Sequence, residues 1–395
     1  LAQDCPPERI LTFGSPGTGA GNFDVPASAI ADKQGNIYVS DFNNNRIQKF
    51  DRDGKFLISW GRKGTRTGQF NGPDFLAFDA DGNILVTDYW NCRVQKFTAD
   101  GRFLLAFGSE GSDVGQFFGP AGIAVDANGN IYVCDSGNDR IQKFTSTGNP
   151  ILAWGGVHGS GPGEFRYATD LKINSKGMVF VLDATDYDDI PNDRVQIFDA
   201  LGNFLSTWGI HGSSKGKLNN PIGLAIDAQD RVYIADTFNN RIQLFDSKGV
   251  LILSRGVLGT APGDFDTPIS VSLDSSGNVI VTEQLNNRVQ VFRGFASPCV
   301  TRCDSGVCYK DSQWWATTIQ NNPGQFTNTF LTVPGENFGQ PVRVVWNSGF
   351  GLQPSIAILS KLSDGTGKKS VTDQLIGKYL AAQLSLRQDL PFAYS

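Results

Sequence analysis

The feature that most constrains the fold is an eight-residue segment that recurs along the chain. It reads NNNRIQKF at residues 43–50 and returns as WNCRVQKF, GNDRIQKF, PNDRVQIF, FNNRIQLF and LNNRVQVF. The arginines of the six copies are 47 residues apart, except for a step of 54 between Arg140 and Arg194. A fixed period of this length indicates one supersecondary unit that is repeated and stacked.

Each unit contains four short runs that are rich in Ile, Val and Phe and are bounded by turn residues. The first run follows a proline in most copies, as in GPAGIAVDA, and a D-x-x-G turn then leads into the second. The R-[IV]-Q-x-F run is the third, and the fourth usually ends in an aromatic residue followed by glycine. Such runs are typical of antiparallel strands joined by hairpins. Six units of four strands predict an all-β, six-bladed β-propeller.

The two ends of the repeat region predict how the ring closes. The sixth unit stops after RVQVFRGF, without a fourth run. The N-terminal stretch RILTFGSPGTGAGNFDVP aligns with KFLISWGRKGTRTGQFNGP, which contains the fourth run of the first unit. We therefore expect residues 10–13 to complete the sixth blade, which leaves no free strand edge at the closure.

The quoted motifs resemble those of the NHL repeat family over about residues 9–294. Some propellers similar to this one are enzymes, among them amidating lyases and calcium-dependent lactonases, and some bind RNA. The resemblance implies that an enzyme of this kind needs several histidines, or a Glu/Asn/Asp set, facing the channel. The equivalent positions here carry side chains that are poorly suited to acid–base chemistry: Ser28, Phe75, Gly122, Gly223 and Ser270.

Domain boundaries follow from where the repeat begins and ends. We expect a lead at 1–8, the propeller at 9–294, a cysteine-containing linker at 295–308 and a small C-terminal domain at 309–395. In the last of these, apolar residues recur at helical spacing between Ser370 and Leu384. The stretch PSIAILSKL at 354–362 fits a second, shorter helix. The C-terminal domain is therefore predicted to be mainly helical.

The six cysteines are even in number and show no C-x-x-C spacing, which favours disulfides in an oxidising compartment over free thiols or zinc. Cys5 precedes the closing strand and Cys299 follows its neighbour, so we expect a Cys5–Cys299 bridge. A Cys303–Cys308 bridge would close a short local loop. A third bridge, Cys92–Cys134, would join adjacent blades. The start LAQDC fits a chain cut after a signal peptide, and equally a chain trimmed by other means. We expect a secreted or cell-surface protein.

Each repeated arginine follows an acidic residue at the end of the preceding run. Such a pair across a tight loop can join two strands and hold the loop. Because the arrangement occurs six times, it indicates scaffold rather than catalysis. The expected pairs are Asp41–Arg46, Asp88–Arg93, Asp135–Arg140, Asp183–Arg194, Asp236–Arg241 and Glu283–Arg288.

The fourth unit departs most from the pattern. It places Asp170 and Lys172 at positions expected to face the central channel, as an ion pair or as part of a metal site. The loop before its arginine is longer and acidic, and it suggests either a calcium site or a solvated insertion. The aspartates of this loop are Asp183, Asp186, Asp188, Asp189 and Asp193. We expect His158 and His211 on the same rim, as polar loop residues.

Charge and composition limit the partners. The net charge is −5 with scattered Lys and Arg, so we expect no nucleic-acid partner, and no apolar run approaches the roughly 18 residues of a membrane span. We predict a non-enzymatic scaffold for protein–protein contact, with calcium as the one candidate cofactor. A specific form is an extracellular fibre or coat subunit, in which the C-terminal domain docks head-to-tail on the next copy. The alternative is a metal-dependent hydrolase or lyase with its site in the channel at the fourth blade.

Overall fold

The computed structural model describes residues 8–185 and 190–293 of the repeat region, and three later strands at 329–331, 342–347 and 355–358. The repeat region belongs to one compact unit, Pro6–Ala296, and the later strands belong to a second. Among the described residues, no helix has the length and apolar character needed to cross a membrane.

The first three blades each contain four antiparallel strands in chain order. Blade one consists of β2 (Pro26–Ala31), β3 (Ile37–Asp41), β4 (Arg46–Phe50) and β5 (Phe56–Trp60). Blade two consists of β6 (Pro73–Phe78), β7 (Ile84–Asp88), β8 (Arg93–Phe97) and β9 (Phe103–Phe107). Blade three consists of β10 (Pro120–Val125), β11 (Ile131–Asp135), β12 (Arg140–Phe144) and β13 (Pro150–Gly155).

The remaining blades follow the same plan, except that the sixth borrows a strand from the N-terminus. Blade four consists of β14 (Ala168–Ile173), β15 (Val179–Asp183), β16 (Arg194–Phe198) and β17 (Phe204–Trp208). Blade five consists of β18 (Gly223–Ile226), β19 (Val232–Asp236), β20 (Arg241–Phe245) and β21 (Leu251–Arg255). Blade six consists of β22 (Pro268–Leu273), β23 (Val279–Glu283), β24 (Arg288–Arg293) and β1 (Glu8–Phe13).

The ring closes as the sequence predicts. Strand β1 pairs antiparallel with β24, with Phe13 opposite Val289 and Leu11 opposite Val291. The register shifts between Arg9 and Leu11, which leaves a bulge at this edge. The ring of Phe13 also lies 4.6 Å from that of Phe50 in blade one, so the closing strand packs on the first blade as well.

The core lies between the blades rather than within them. Successive residues of one strand belong to different clusters, because side chains alternate between the two faces of a sheet. In β3, Tyr38 packs with Leu76 of blade two, whereas Val39 packs with Val289 of blade six. Each blade is therefore buried on both faces, which explains why the second strands contain so few polar residues.

The same alternation shows that one predicted disulfide was wrong. Cys92 belongs to the cluster between blades two and three, and Cys134 to the cluster between blades three and four. Both are buried free thiols, held on opposite sides of blade three. Neighbouring blades do not bring two cysteines together unless both point into the same interface. The other four cysteines, at positions 5, 299, 303 and 308, lie outside the described residues.

The described part of the second unit is a three-stranded antiparallel sheet, with strand order β25, β26, β27. Its strands are β25 (Thr329–Leu331), β26 (Val342–Asn347) and β27 (Ser355–Ile358). The short helix predicted at 354–362 is therefore wrong for Ser355–Ile358, where two β-branched isoleucines alternate with smaller residues. The longer predicted helix, at 370–384, lies outside the described residues.

Candidate functional site

The first strands of the six blades form the innermost layer of the ring. Strands β2, β6, β10, β14, β18 and β22 contact one another in that order, and β22 contacts β2. They surround the central channel. Gly122 of β10 permits this close approach, since a Cβ there would lie 2.4 Å from the Cα of Asp170 on β14.

The six predicted acid–arginine pairs are all formed, with Nε to carboxylate distances between 2.6 and 2.9 Å. In blade three, Asp135 accepts from Arg140 Nε at 2.7 Å and from the backbone N–H of Phe118 at 2.8 Å. Arg140 also donates to the backbone carbonyl of Gln116 in the loop that enters the blade, at 3.0 Å. The carboxylates are fully buried and saturated by donors. This arrangement fits a structural role, because no lone pair remains for a substrate.

The sequence interpretation missed one member of this arrangement, the glutamine two residues after each arginine. Gln142 Nε2 donates to Asp135 at 3.0 Å and to the Gln116 carbonyl at 2.6 Å. Its Oε1 accepts from the Gly115 N–H at 2.9 Å. The signal was present, since glutamine is part of all six R-[IV]-Q motifs.

Asp170 and Lys172 form the ion pair expected of them. Lys172 Nζ lies 2.6 and 2.8 Å from the two Asp170 oxygens, and it lies 5.9 Å from the centre of the Phe75 ring, two blades away. The lysine therefore reaches into the channel. Asp170 also accepts the N–H groups of Leu171 and Leu224, so both of its oxygens are engaged. A carboxylate with this many donors is poorly placed to act as a base or a metal ligand.

A cavity of about 210 Å³ opens where the channel meets the face that carries the loops between second and third strands. We call this face the top face and the cavity the channel mouth. Each blade lines it with the residue that follows the repeated proline position, and blade two adds Phe75. The six residues are Ala27, Asp74, Ala121, Thr169, Ile222 and Ile269. Loop residues Phe42, Tyr89, Trp90, Tyr167 and Gln284 form the outer wall.

The outer wall is mostly aromatic. The Tyr89 ring lies 4.8 Å from the Trp90 ring, edge to face, and 6.5 Å from the Phe42 ring. The Tyr89 hydroxyl lies 3.4 Å from the Tyr167 hydroxyl. Phe42 and Trp90 both lie against Gly72, where a Cβ would come within 2.8 Å of either ring. Trp90 is 62% exposed, which is unusual for the largest aromatic side chain.

Asp74 lies on the floor of the channel mouth and was not singled out from the sequence. It is only 9% exposed, yet its carboxylate makes no hydrogen bond or ion pair with the described residues. Burial, and to a lesser degree the nearby Asp170, raise the pKa of Asp74 to about 7. The signal in the sequence was that the other units have Ala, Thr or Ile at this position.

The acidic loop of blade four is described only at its ends. Asp183 pairs with Arg194, and Asp193 accepts from the Thr185 N–H and contacts His211 Nδ1 at 2.5 Å. Asp186, Asp188 and Asp189 lie outside the described residues, so the calcium site stays a prediction. Within the ranges that the structure covers, no three His, Cys, Asp or Glu side chains converge to hold a metal ion.

The two histidines occupy equivalent loop positions in successive blades. His158 Nδ1 lies 3.0 Å from Asp139 Oδ2, as His211 Nδ1 does from Asp193 at 2.5 Å. Both aspartates directly precede the repeated arginine. The histidines therefore lie on the top face, as predicted, but each contacts its own aspartate rather than a shared site.

Comparison with known proteins supports the architecture. The profile of the NHL repeat family matches residues 23–50, 70–97, 117–144 and 218–245, in blades one, two, three and five. Protein lin-41 of Caenorhabditis elegans is 46% identical over 48 residues, which is 12% of this chain and 4% of that protein. The chain thus corresponds to a small part of that relative.

Solved structures are similar in fold at low sequence identity. A Bacteroides thetaiotaomicron protein of unknown function is 16% identical, with a TM-score of 0.55 over 72% of this chain and 75% of that chain. A gluconolactonase from Xanthomonas campestris is 15% identical, with a TM-score of 0.51 over 69% of this chain and 88% of its own. A streptogramin B lyase is 13% identical, with a TM-score of 0.50 over 68% of this chain and 93% of its own. Four of the six repeats thus match the NHL repeat model, and the chain has the fold of a six-bladed β-propeller.

Proposed function

We propose that this protein is a non-enzymatic scaffold that binds a partner protein through the top face of its propeller. The observation that carries the proposal is the exposed aromatic surface beside the channel mouth. We call it the aromatic patch and define it as Phe42, Tyr89, Trp90 and Phe118, of which Trp90 and Phe118 are exposed and the other two are half-buried. Protein interfaces are enriched in aromatic residues, which contribute most when they surround a pocket.

The patch has members on loops of three blades. Phe42 and Trp90 share the surface over Gly72, the Tyr89 ring lies against Gly119, and Phe118, which precedes that glycine, is 53% exposed. These side chains stand on loops that the buried acid–arginine pairs hold in place. Because these rings stand on a rigid base, less conformational entropy is lost when a partner binds.

The chemistry of the channel also favours binding over catalysis. The acid–arginine pairs and Asp170 have their oxygens occupied by donors, as described above, and the remaining floor of the channel mouth is mainly Ala, Thr and Ile. Apolar surface with one isolated carboxylate suits recognition of a side chain better than proton transfer to a substrate.

Site-specific photo-crosslinking tests the proposal. A photoreactive phenylalanine analogue replaces Trp90 on the top face. In the control it replaces Leu201, which is also exposed, in a turn at the opposite end of blade four. We expect one partner species to crosslink from position 90 and not from position 201. The double variant W90S/F118S should lose the complex while L201S keeps it. Crosslinks from position 201 alone, or equal loss in both variants, would contradict the proposal.

We further propose that the protein acts outside the cell and that its C-terminal segment assembles copies head-to-tail. Support comes from the sequence, in the cysteines at 299, 303 and 308 and the tryptophans at 314 and 315. Size-exclusion chromatography with negative-stain imaging tests the assembly. We expect elongated polymers at high protein concentration that disappear when residues 309–395 are removed. A monodisperse monomer of the full chain at all concentrations would rule the assembly out.

A further inference from the structure

The side chain of Asp74 is an exception among the buried acids of this propeller. The repeated acids and Asp170 each accept several hydrogen bonds, whereas Asp74 has none with the described residues, although it is nine-tenths buried. Buried carboxylates are costly unless paired, and a fold normally pairs them. The exception coincides with the cavity, since Asp74 is the acidic residue on the floor of the channel mouth.

The chain does not supply a cation for Asp74 from its described part. Lys172 is the one basic residue on the six inner strands, and it is engaged by Asp170 at 2.6 and 2.8 Å. When Asp74 is ionised, a counter-charge for it therefore has to come from outside the described residues. The cavity, at about 210 Å³, has room for about seven waters at roughly 30 Å³ each, which is enough for a charged group with several methylenes.

The walls indicate what kind of cation fits. The rings of Phe42, Tyr89 and Trp90 line the same cavity as Asp74, and aromatic faces attract organic ammonium groups. A hard metal ion such as Ca²⁺ needs about six to eight oxygen ligands and favours carboxylates, whereas Asp74 is the one carboxylate among the described residues that line the cavity. The combination of one carboxylate with aromatic and aliphatic walls suits an ammonium group on an alkyl chain.

We propose that the channel mouth binds an alkylammonium group, supplied by a lysine side chain of the partner protein, with Asp74 as its counter-ion and Trp90 and Tyr89 as its aromatic walls. That the ammonium group comes from a lysine of a partner protein rests on the function proposed above. That the site binds an ammonium group does not depend on that function. The lysine would enter along the channel axis, while the aromatic patch contacts the surface around it.

Isothermal titration with small probes tests the ammonium chemistry on the full-length protein. The probes are Nα-acetyl-lysine methylamide, its uncharged counterpart Nα-acetyl-norleucine methylamide, and n-butylammonium as a free amine. We expect the lysine probe to bind at least tenfold more tightly than the norleucine probe. D74N should weaken the lysine probe at least tenfold and leave the norleucine probe unchanged. W90A should weaken the lysine probe about threefold or more, in line with a cation–π contact.

The control is D81N, which removes the same charge from an exposed turn at the other end of β6. We expect D81N to bind like wild type, and D74N to unfold as cooperatively as wild type, because the site already tolerates an uncharged carboxyl group. Equal binding of the lysine and norleucine probes, or an unchanged lysine affinity in D74N, would overturn the proposal.

The outcomes separate this proposal from the one it rests on. If crosslinking from position 90 finds a partner but the lysine probe does not bind, the scaffold function stands and the ammonium site is wrong. If n-butylammonium binds more tightly than the lysine probe and no protein crosslinks, the site takes a free amine and the lysine source is wrong.

Discussion

The repeated acid–arginine pair makes a sharp prediction about stability in blade five. Arg241 is 9% exposed and donates to Asp236 at 2.6 Å, and also to the backbone carbonyls of Ser213, Ser214 and Lys217 at 2.8–2.9 Å. Replacing Arg241 with Met keeps most of the side-chain volume and removes all four donors. The buried Asp236 carboxylate then loses its counter-charge.

The expected cost follows from the burial of both partners. Breaking a buried ion pair by removing one member costs about 3–5 kcal/mol, because the remaining charge stays in a poorly solvated site. Burial already raises the pKa of Asp236, and its hydrogen bonds to Asn219, Asn239 and Arg241 oppose that rise. Adding D236N to the Arg241→Met variant should therefore recover about 1 kcal/mol or more, since it removes the unpaired charge.

Arg231→Met is the matched control in the same blade. Arg231 pairs with Asp227 at 2.7 Å, but it is 31% exposed, so its loss should cost no more than about 1 kcal/mol. Chemical denaturation of the full-length variants, followed by tryptophan fluorescence, measures both free energies of unfolding. A loss below about 1 kcal/mol in Arg241→Met, equal to the control, would refute the reasoning that these pairs hold the blades.

Three further predictions concern closure, ionisation and thiols. Phe13→Ala should cost about 2–4 kcal/mol by loosening the contact with blade one, whereas Ile10→Ala, at an exposed position of the same strand, should cost under about 1 kcal/mol in the same denaturation assay. The raised pKa of Asp74 favours its neutral form in the fold, so the stability it contributes is full below pH 4 and is lost as the pH rises through about 7. Between pH 4 and 8 the free energy of unfolding of the wild type should fall by up to about 4 kcal/mol relative to that of D74N. Parallel curves of unfolding free energy against pH for the two proteins would contradict this. Alkylation of the unfolded, unreduced protein followed by peptide mass spectrometry should label Cys92 and Cys134, and a disulfide between their peptides would contradict the structure.

The fold could be predicted from the sequence because it depends on a local pattern of strands and turns that is repeated in every blade. Each blade repeats the same strands and turns, and the missing fourth run of the last unit is matched by the surplus run before the first. Counting runs therefore fixes the number of blades and the closure by residues 10–13, without any knowledge of packing. The acid–arginine pairs could be predicted in the same way, since both partners flank one loop.

The channel mouth could not be predicted from the sequence in this way. Asp74 is important because six positions, one from each blade, converge on one cavity, and no local pattern shows what stands across a channel. The Cys92–Cys134 bridge failed for a related reason, since the sequence shows which blades are adjacent but the facing direction depends on strand register. In β11, the alternation of Val133 and Cys134 between two interfaces could have excluded it.

The claim that the channel mouth is a binding site for a cation is tested most directly by the ionisation of Asp74 itself. The carboxyl ¹³C chemical shift of Asp74, followed by NMR against pH with and without Nα-acetyl-lysine methylamide, gives its pKa in both states, with D74N to assign the signal. We predict a pKa of about 7 for the free protein and a clear decrease when the probe is bound, because an ammonium group stabilises the charged carboxylate. A pKa near 4 in the free protein, or one that the probe leaves unchanged, would contradict the account.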